Sequence, residues 1–128
     1  MPAANIQFPW MSYYGNYNIL KRRIKSHSKV SDVIEADASQ GLYHVVQENR
    51  TLKVFICECY CFGVAEYEEV MEHCDDIDAV IINSTWCFYT DSVKEYCKEF
   101  KVGVFNFSEF FGAINRHDFW NYLPPEER

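Results

Sequence analysis

The segment Leu52-Lys53-Val54-Phe55-Ile56-Cys57-Glu58-Cys59-Tyr60 constrains the fold more than any other part of this chain. Alternate residues of an extended strand point to opposite faces, and here both faces are nearly apolar. A strand with one wet face alternates polar and apolar residues. This one must therefore lie at the centre of a sheet, covered on both sides. The covering layers have to come from the rest of the chain.

The flanking segments are read accordingly. Tyr13, Tyr17, Leu20 and Ile24 recur at helical spacing and predict an N-terminal helix over about 10–27. Residues 30–36 and 42–48 read as strands. The polar connections Ala38-Ser39-Gln40-Gly41 and Glu48-Asn49-Arg50-Thr51 suggest antiparallel hairpins into the central run. Tyr67, Val70, Met71 and Cys74 form the inner face of a helix over 65–74. A short apolar strand follows at 79–82. Thr90 and Asp91 cap a helix over 91–100 with inner residues Val93, Cys97 and Phe100. A strand at 102–105 leads to a last helix, capped by Ser108 and bearing Phe110, Phe111 and Ile114. The order is α-β-β-β-α-β-α-β-α: an α/β fold in three layers around a mixed central sheet. Its back half should hold parallel pairs. The expected organisation is a single domain over 1–128, with its core at about 30–115 and an exposed C-terminal tail over about 116–128.

Apolar residues make up 48% of the 128 and aromatic residues 17%, enough for a real core and too much for a disordered chain. No apolar run approaches the roughly 18 residues of a membrane span, and no secretory signal is evident. Nineteen acids against twelve bases give a net charge of −7, which argues against non-specific coating of nucleic acid. The six cysteines lie within apolar runs rather than in loops, so reduced thiols and a cytoplasmic setting are expected. Cys57, Cys59 and Cys61 share one strand parity. Same-face positions on a flat strand diverge, however, so packing is the simpler role and no metal is expected there.

The strand-rich start, the following helix and the β-α-β end resemble the restriction-endonuclease-like (PD-(D/E)XK) superfamily, in its Mrr-like branch. Val54-Phe55-Ile56-Cys57-Glu58-Cys59-Tyr60 stands where that fold carries apolar residues leading into Glu-x-Lys. Ile81-Ile82-Asn83-Ser84-Thr85, Phe88-Tyr89-Thr90 and Val102-Gly103-Val104 are similar to the branch's later strands and caps. The resemblance implies Mg²⁺- or Mn²⁺-dependent phosphodiester hydrolysis. Glu58 and one further acid would hold the ion, with the residue at position 60 beside them. Position 60 is Tyr rather than Lys, and the acid expected before Leu42 is missing, with Asp37 the nearest substitute. The motif is degenerate. The reading that follows is a weakened or inactive nuclease-fold module that binds nucleic acid or a protein partner in DNA processing or defence, and needs no cofactor. One alternative is an active nuclease using Asp37, Glu58 and Tyr60. Another is a protein-interaction module without nucleic acid.

Two further features bear on partners. Lys21, Arg22, Lys25 and Lys29 form a basic stripe on the first helix, suited to phosphates or to offsetting the seven acids of 66–78. The aromatic termini, Trp10, Tyr13, Tyr14 and Tyr17 at one end and Phe119, Trp120 and Tyr122 at the other, either cover the core or pair two copies as a homodimer.

Overall fold

A computed structural model of the chain describes residues 7–11, 17–37, 40–84 and 86–124. In chain order its elements are α1 (Tyr17–Lys25), β1 (Asp32–Asp37), β2 (Leu42–Val46), β3 (Thr51–Cys57), β4 (Cys61–Phe62), α2 (Val64–His73), β5 (Ala79–Ile82), β6 (Phe88–Tyr89), α3 (Asp91–Lys98), β7 (Gly103–Asn106), α4 (Phe107–Ala113) and a closing 3-10 turn at Phe119–Asn121. Five strands form one sheet in the order β1-β2-β3-β5-β7. The first three are antiparallel neighbours, with Leu42 opposite Phe55. From β3 onward the sheet is parallel, with Cys57 beside Ile82 and Ile82 beside Asn106.

The central strand lies where its composition requires. Val54, Phe55, Ile56 and Cys57 have no exposed surface. Val54 and Ile56 pack under α1 and α4 with Leu20, Ile24, Ile81 and Phe110. Phe55 and Cys57 pack under α2 and α3 with Tyr67, Val70, Val80 and Val93. The sheet thus divides two apolar cores, and strand alternation assigns each residue to one of them. Gly41 leads into β2 at φ +75°, where a Cβ would stand 2.5 Å from the Ile56 carbonyl oxygen. Only glycine combines that backbone angle with so close a neighbour.

Several expectations are corrected. The first helix occupies 17–25 among the described residues, not 10–27. Trp10 has a positive φ of 47° and is buried against Phe55 and Phe62, so it cannot open a helix. Tyr13 and Tyr14 lie outside the described residues. Trp10, Tyr17 and Phe119 are buried in the core, while Trp120 and Tyr122 are half-buried against it. Pro124, expected in an exposed tail, is buried as well. Met71, within α2, is partly exposed, and Phe100 points outward because α3 ends at Lys98 and Phe100 falls in the turn beyond it. Lys94 lies inside instead. Its Nζ donates to the Val104 carbonyl at 2.7 Å and sits over the rings of Tyr89 and Phe105, which supply the polar contacts a buried ammonium needs. β4 and β6, a parallel pair of two residues each, are too short to leave a periodic signal.

The cap of α4 is also two residues earlier than expected. Asn106 Oδ1 accepts from the Glu109 amide at 2.8 Å, and Glu109 Oε1 accepts from the Asn106 amide at 2.9 Å. Ser108 is already inside the helix and exposed. Asn106→Ala should therefore cost about 1 kcal/mol in urea denaturation. Ser108→Ala should change stability by less than ~0.5 kcal/mol. Equal losses would return the cap to Ser108.

Candidate functional site

The carboxyl ends of β3 and β5 hold the motif residues. The ladder stops at Cys57, so Glu58 is the first residue past the central strand and not within it. Its amide donates to the Trp10 carbonyl at 2.7 Å. Its side chain is 4% exposed, and the carboxylate accepts from Asn83 Nδ2 at 3.0 Å. The Asn83 amide in turn donates to the Cys57 carbonyl at 2.8 Å. Glu58 and Asn83 thereby tie the two strand ends together. Tyr60, two residues on, is 58% exposed and packs with Trp86 and Phe88 at ring separations of 6.5 and 5.5 Å. With the strand ended, the i, i+2 rule that would aim positions 58 and 60 into one cleft no longer applies.

Asp37 closes β1, after a register shift between Glu35 and Asp37, and stands opposite Leu42. β1 is two strand spacings from β3, and Phe55, the partner of Leu42, precedes Glu58 by three residues. β1 and β3 are thus on the order of 10 Å apart across the sheet, with β2 between them. The field of Asp37 reaches the Cys74 thiol, where burial, with Asp37 and Asp75, outweighs Lys53 and raises the thiol above its ordinary range. Among the described residues, no three His, Cys, Asp or Glu side chains gather as a metal-holding group.

The basic stripe has partners that spacing along the chain did not indicate. Lys21 Nζ lies 3.0 Å from Glu35, and Lys25 Nζ lies 3.3 Å from Asp32, both on β1 and not in the acidic stretch 66–78. The Asp32 carboxyl is held below its ordinary range, first by the Val33 amide and then by Lys25. These exposed pairs carry little stability, but they neutralise half of the proposed phosphate contacts. Arg22 shares a shallow recess with Lys21 and Lys25, while Lys29 lines a separate cavity beside the β2–β3 turn. His27 is fixed by structure: its Nδ1 accepts from the Lys29 amide, so Nε2 carries the proton donated to the Phe111 carbonyl at 2.9 Å.

Sequence reasoning missed a groove between α2 and α3. Tyr67, Met71, Tyr96, Phe100 and Val102 line it, and Glu68, Glu72 and Asp76 form its rim; its volume is about 420 Å³. Met71 is 39% exposed and Phe100 57%. Tyr96 Oη donates to Glu68 at 3.3 Å, which holds one wall. The signal the sequence offers for it is the helical face that carries Met71.

All six cysteines are unbridged. Burial pushes the Cys59, Cys87 and Cys97 thiols up to about 12 and Cys57 well above its ordinary value. In the unfolded chain thiols ionise near 9. Above that pH the unfolded state releases protons that the folded state retains, so stability should fall from about pH 9 towards 12 and be insensitive to these thiols below 9. Ellman titration at pH 8 should leave Cys57, Cys59 and Cys97 unreacted in the native protein and label all six in urea. Rapid labelling of Cys59 without denaturant would contradict this. Comparison with family models, with curated proteins and with solved structures finds no match to this chain.

Proposed function

We propose that this chain is a restriction-endonuclease-like domain that has lost its hydrolytic chemistry and serves as a protein-binding module. The antiparallel β1-β2-β3 meander, followed by a helical connection to a parallel strand, supports the fold reading. The burial of Glu58 carries the functional one. Two-carboxylate metal catalysis needs hard oxygen ligands that face one open ion position. Glu58 instead spends an oxygen on Asn83 beneath the surface, Asp37 ends a strand separated from β3 by β2, and Tyr60 faces solvent without a cationic group. The residues present do not fit a Mg²⁺ or Mn²⁺ ion.

Between the two kinds of partner, the charges favour protein. Lys21 and Lys25 are paired internally, and the chain is net acidic. The α2–α3 groove combines an apolar floor with a carboxylate rim. Its complement is a cationic amphipathic helix, with apolar anchors at helical spacing meeting Met71 and Phe100 and Lys or Arg residues meeting Glu68, Glu72 and Asp76.

Three outcomes follow. With Mg²⁺ or Mn²⁺, the protein should cleave duplex and single-stranded DNA no faster than its Glu58→Gln variant; cleavage abolished by that substitution would restore the active-nuclease reading. A cationic amphipathic model peptide should bind saturably in fluorescence anisotropy. Combined Met71→Ala and Phe100→Ala should weaken that binding at least about tenfold, with stability kept within ~0.5 kcal/mol because both side chains are outside. Peptide affinity unchanged by the pair would remove the groove. Duplex DNA that binds more tightly than the peptide, with a salt slope reduced by Arg22→Ala and Lys29→Ala, would put nucleic acid first.

A further inference from the structure

The groove between α2 and α3 has a counterpart on the opposite face of this same chain. α1 packs on one side of the sheet through Tyr17, Leu20 and Ile24, while α2 and α3 pack on the other through Tyr67, Val70 and Val93. The charges divide in the same way. Residues 17–30 hold five bases and no acid, whereas residues 64–78 hold seven acids and neither Lys nor Arg. Lys21 and Lys25 are spent on Glu35 and Asp32 of β1.

The outward face of α1 carries Ile19, Arg22 and Arg23, at the i, i+3, i+4 spacing of helical neighbours. All three are exposed, Ile19 by 46%. The Arg23 guanidinium lies 5.5 Å and 5.8 Å from the centres of the Phe107 and Phe111 rings, which places it without using its N–H groups. Among the described residues, neither Arg22 nor Arg23 has a carboxylate partner. An apolar side chain beside two unspent guanidinium groups thus faces outward on a packed helix. The groove offers the reverse arrangement. Met71 and Phe100 are apolar and exposed within it, and Glu68, Glu72 and Asp76 stand exposed at its rim.

We propose that the occupant of the α2–α3 groove is a second copy of this chain, seated through the outward face of α1; the proposal rests on the protein-binding reading of that groove. Ile19 meets Met71 and Phe100, and Arg22 and Arg23 meet the rim carboxylates, which is helix-in-groove recognition with matched charge. The net charge of −7 opposes this association less than it would on a uniform surface, because the contact brings unlike layers together. The two surfaces lie on opposite faces of the sheet, so the contact cannot be reciprocated within a pair. The association is head-to-tail and open, and every assembly keeps one free groove and one free helix face. With one apolar anchor the contact is weak, populated at high chain concentration and sensitive to salt.

The test is sedimentation velocity of the full chain at about 0.5 mM, where contacts of micromolar to submillimolar affinity are populated. The expected result is growth past the dimer as concentration rises, with the association constant falling at least about tenfold between ~20 mM and ~500 mM salt. Two double variants separate the surfaces: Ile19→Glu with Arg22→Glu on the helix, and Met71→Ala with Phe100→Ala in the groove. Each alone should lose association at least about tenfold, with its circular dichroism unchanged. An equimolar mixture should form a one-to-one pair and nothing larger, because only one intact helix and one intact groove remain. If the helix variant unfolds, Ile19→Ser with Arg22→Gln takes its place. A parent chain that stays monomeric at low salt overturns the proposal. So does a closed dimer whose two variants do not complement each other, or assembly that survives either double variant. The cationic model peptide separates this outcome from the groove reading. Peptide binding without self-association removes the second copy and keeps the groove, whereas loss of both removes the groove as well.

Discussion

Everything in this molecule is hung on the desolvation of β3. A strand with no exposed surface from Val54 to Cys57 must satisfy its main-chain groups on both edges and its side chains on both faces. β2 and β5 meet the first demand, one antiparallel and one parallel. The helical layers meet the second. Burying large side chains contributes roughly 1.5–3 kcal/mol each, so losing either cover would expose several such contributions at once.

The same strand determines what its carboxyl end can do. Where the ladder stops, polar groups have to be closed off, and Glu58, Asn83 and the Trp10 carbonyl close them on one another. An acid used in this way is a structural tie. Farther along, Tyr89 Oη donates to the Glu109 carboxylate at 2.8 Å, and the Lys94 ammonium lies over the Tyr89 ring. These polar groups fasten β6, α3 and α4 around the sheet's end, and each has a partner, as burial demands. Two recesses lie on the flanks, away from this end: the groove between α2 and α3 and the cavity beside the β2–β3 turn.

Much of the architecture was legible because its signals are local. The two-faced apolar run of β3, the tetrapeptide Ala79-Val80-Ile81-Ile82 and the Thr90 cap each depend on neighbouring residues, and Thr90 Oγ1 does accept from the Val93 amide at 3.1 Å. The α/β class and the element order of the main sheet followed from them. The inward assignment of Phe100 failed for a definite reason. Helical periodicity identifies a face but does not say where the helix stops, and α3 ends before Phe100. The Ser108 cap failed because Asn106 offers the same chemistry two residues earlier.

By itself, then, the sequence determined that a buried central strand would organise a mixed sheet between helices, since hydrophobic periodicity reports burial directly. It also placed at position 60 a Tyr, which carries no positive charge at neutral pH, where the resemblance calls for Lys. Only the tertiary structure decided which charges meet. Lys21 and Lys25 found Glu35 and Asp32 across a helix–strand contact, Glu58 found Asn83 across 25 residues, and Arg50 found the carbonyls beyond α4 across 64 to 67. Those pairings depend on distances in space that spacing along the chain does not encode. They decide which polar groups are spent on holding the fold.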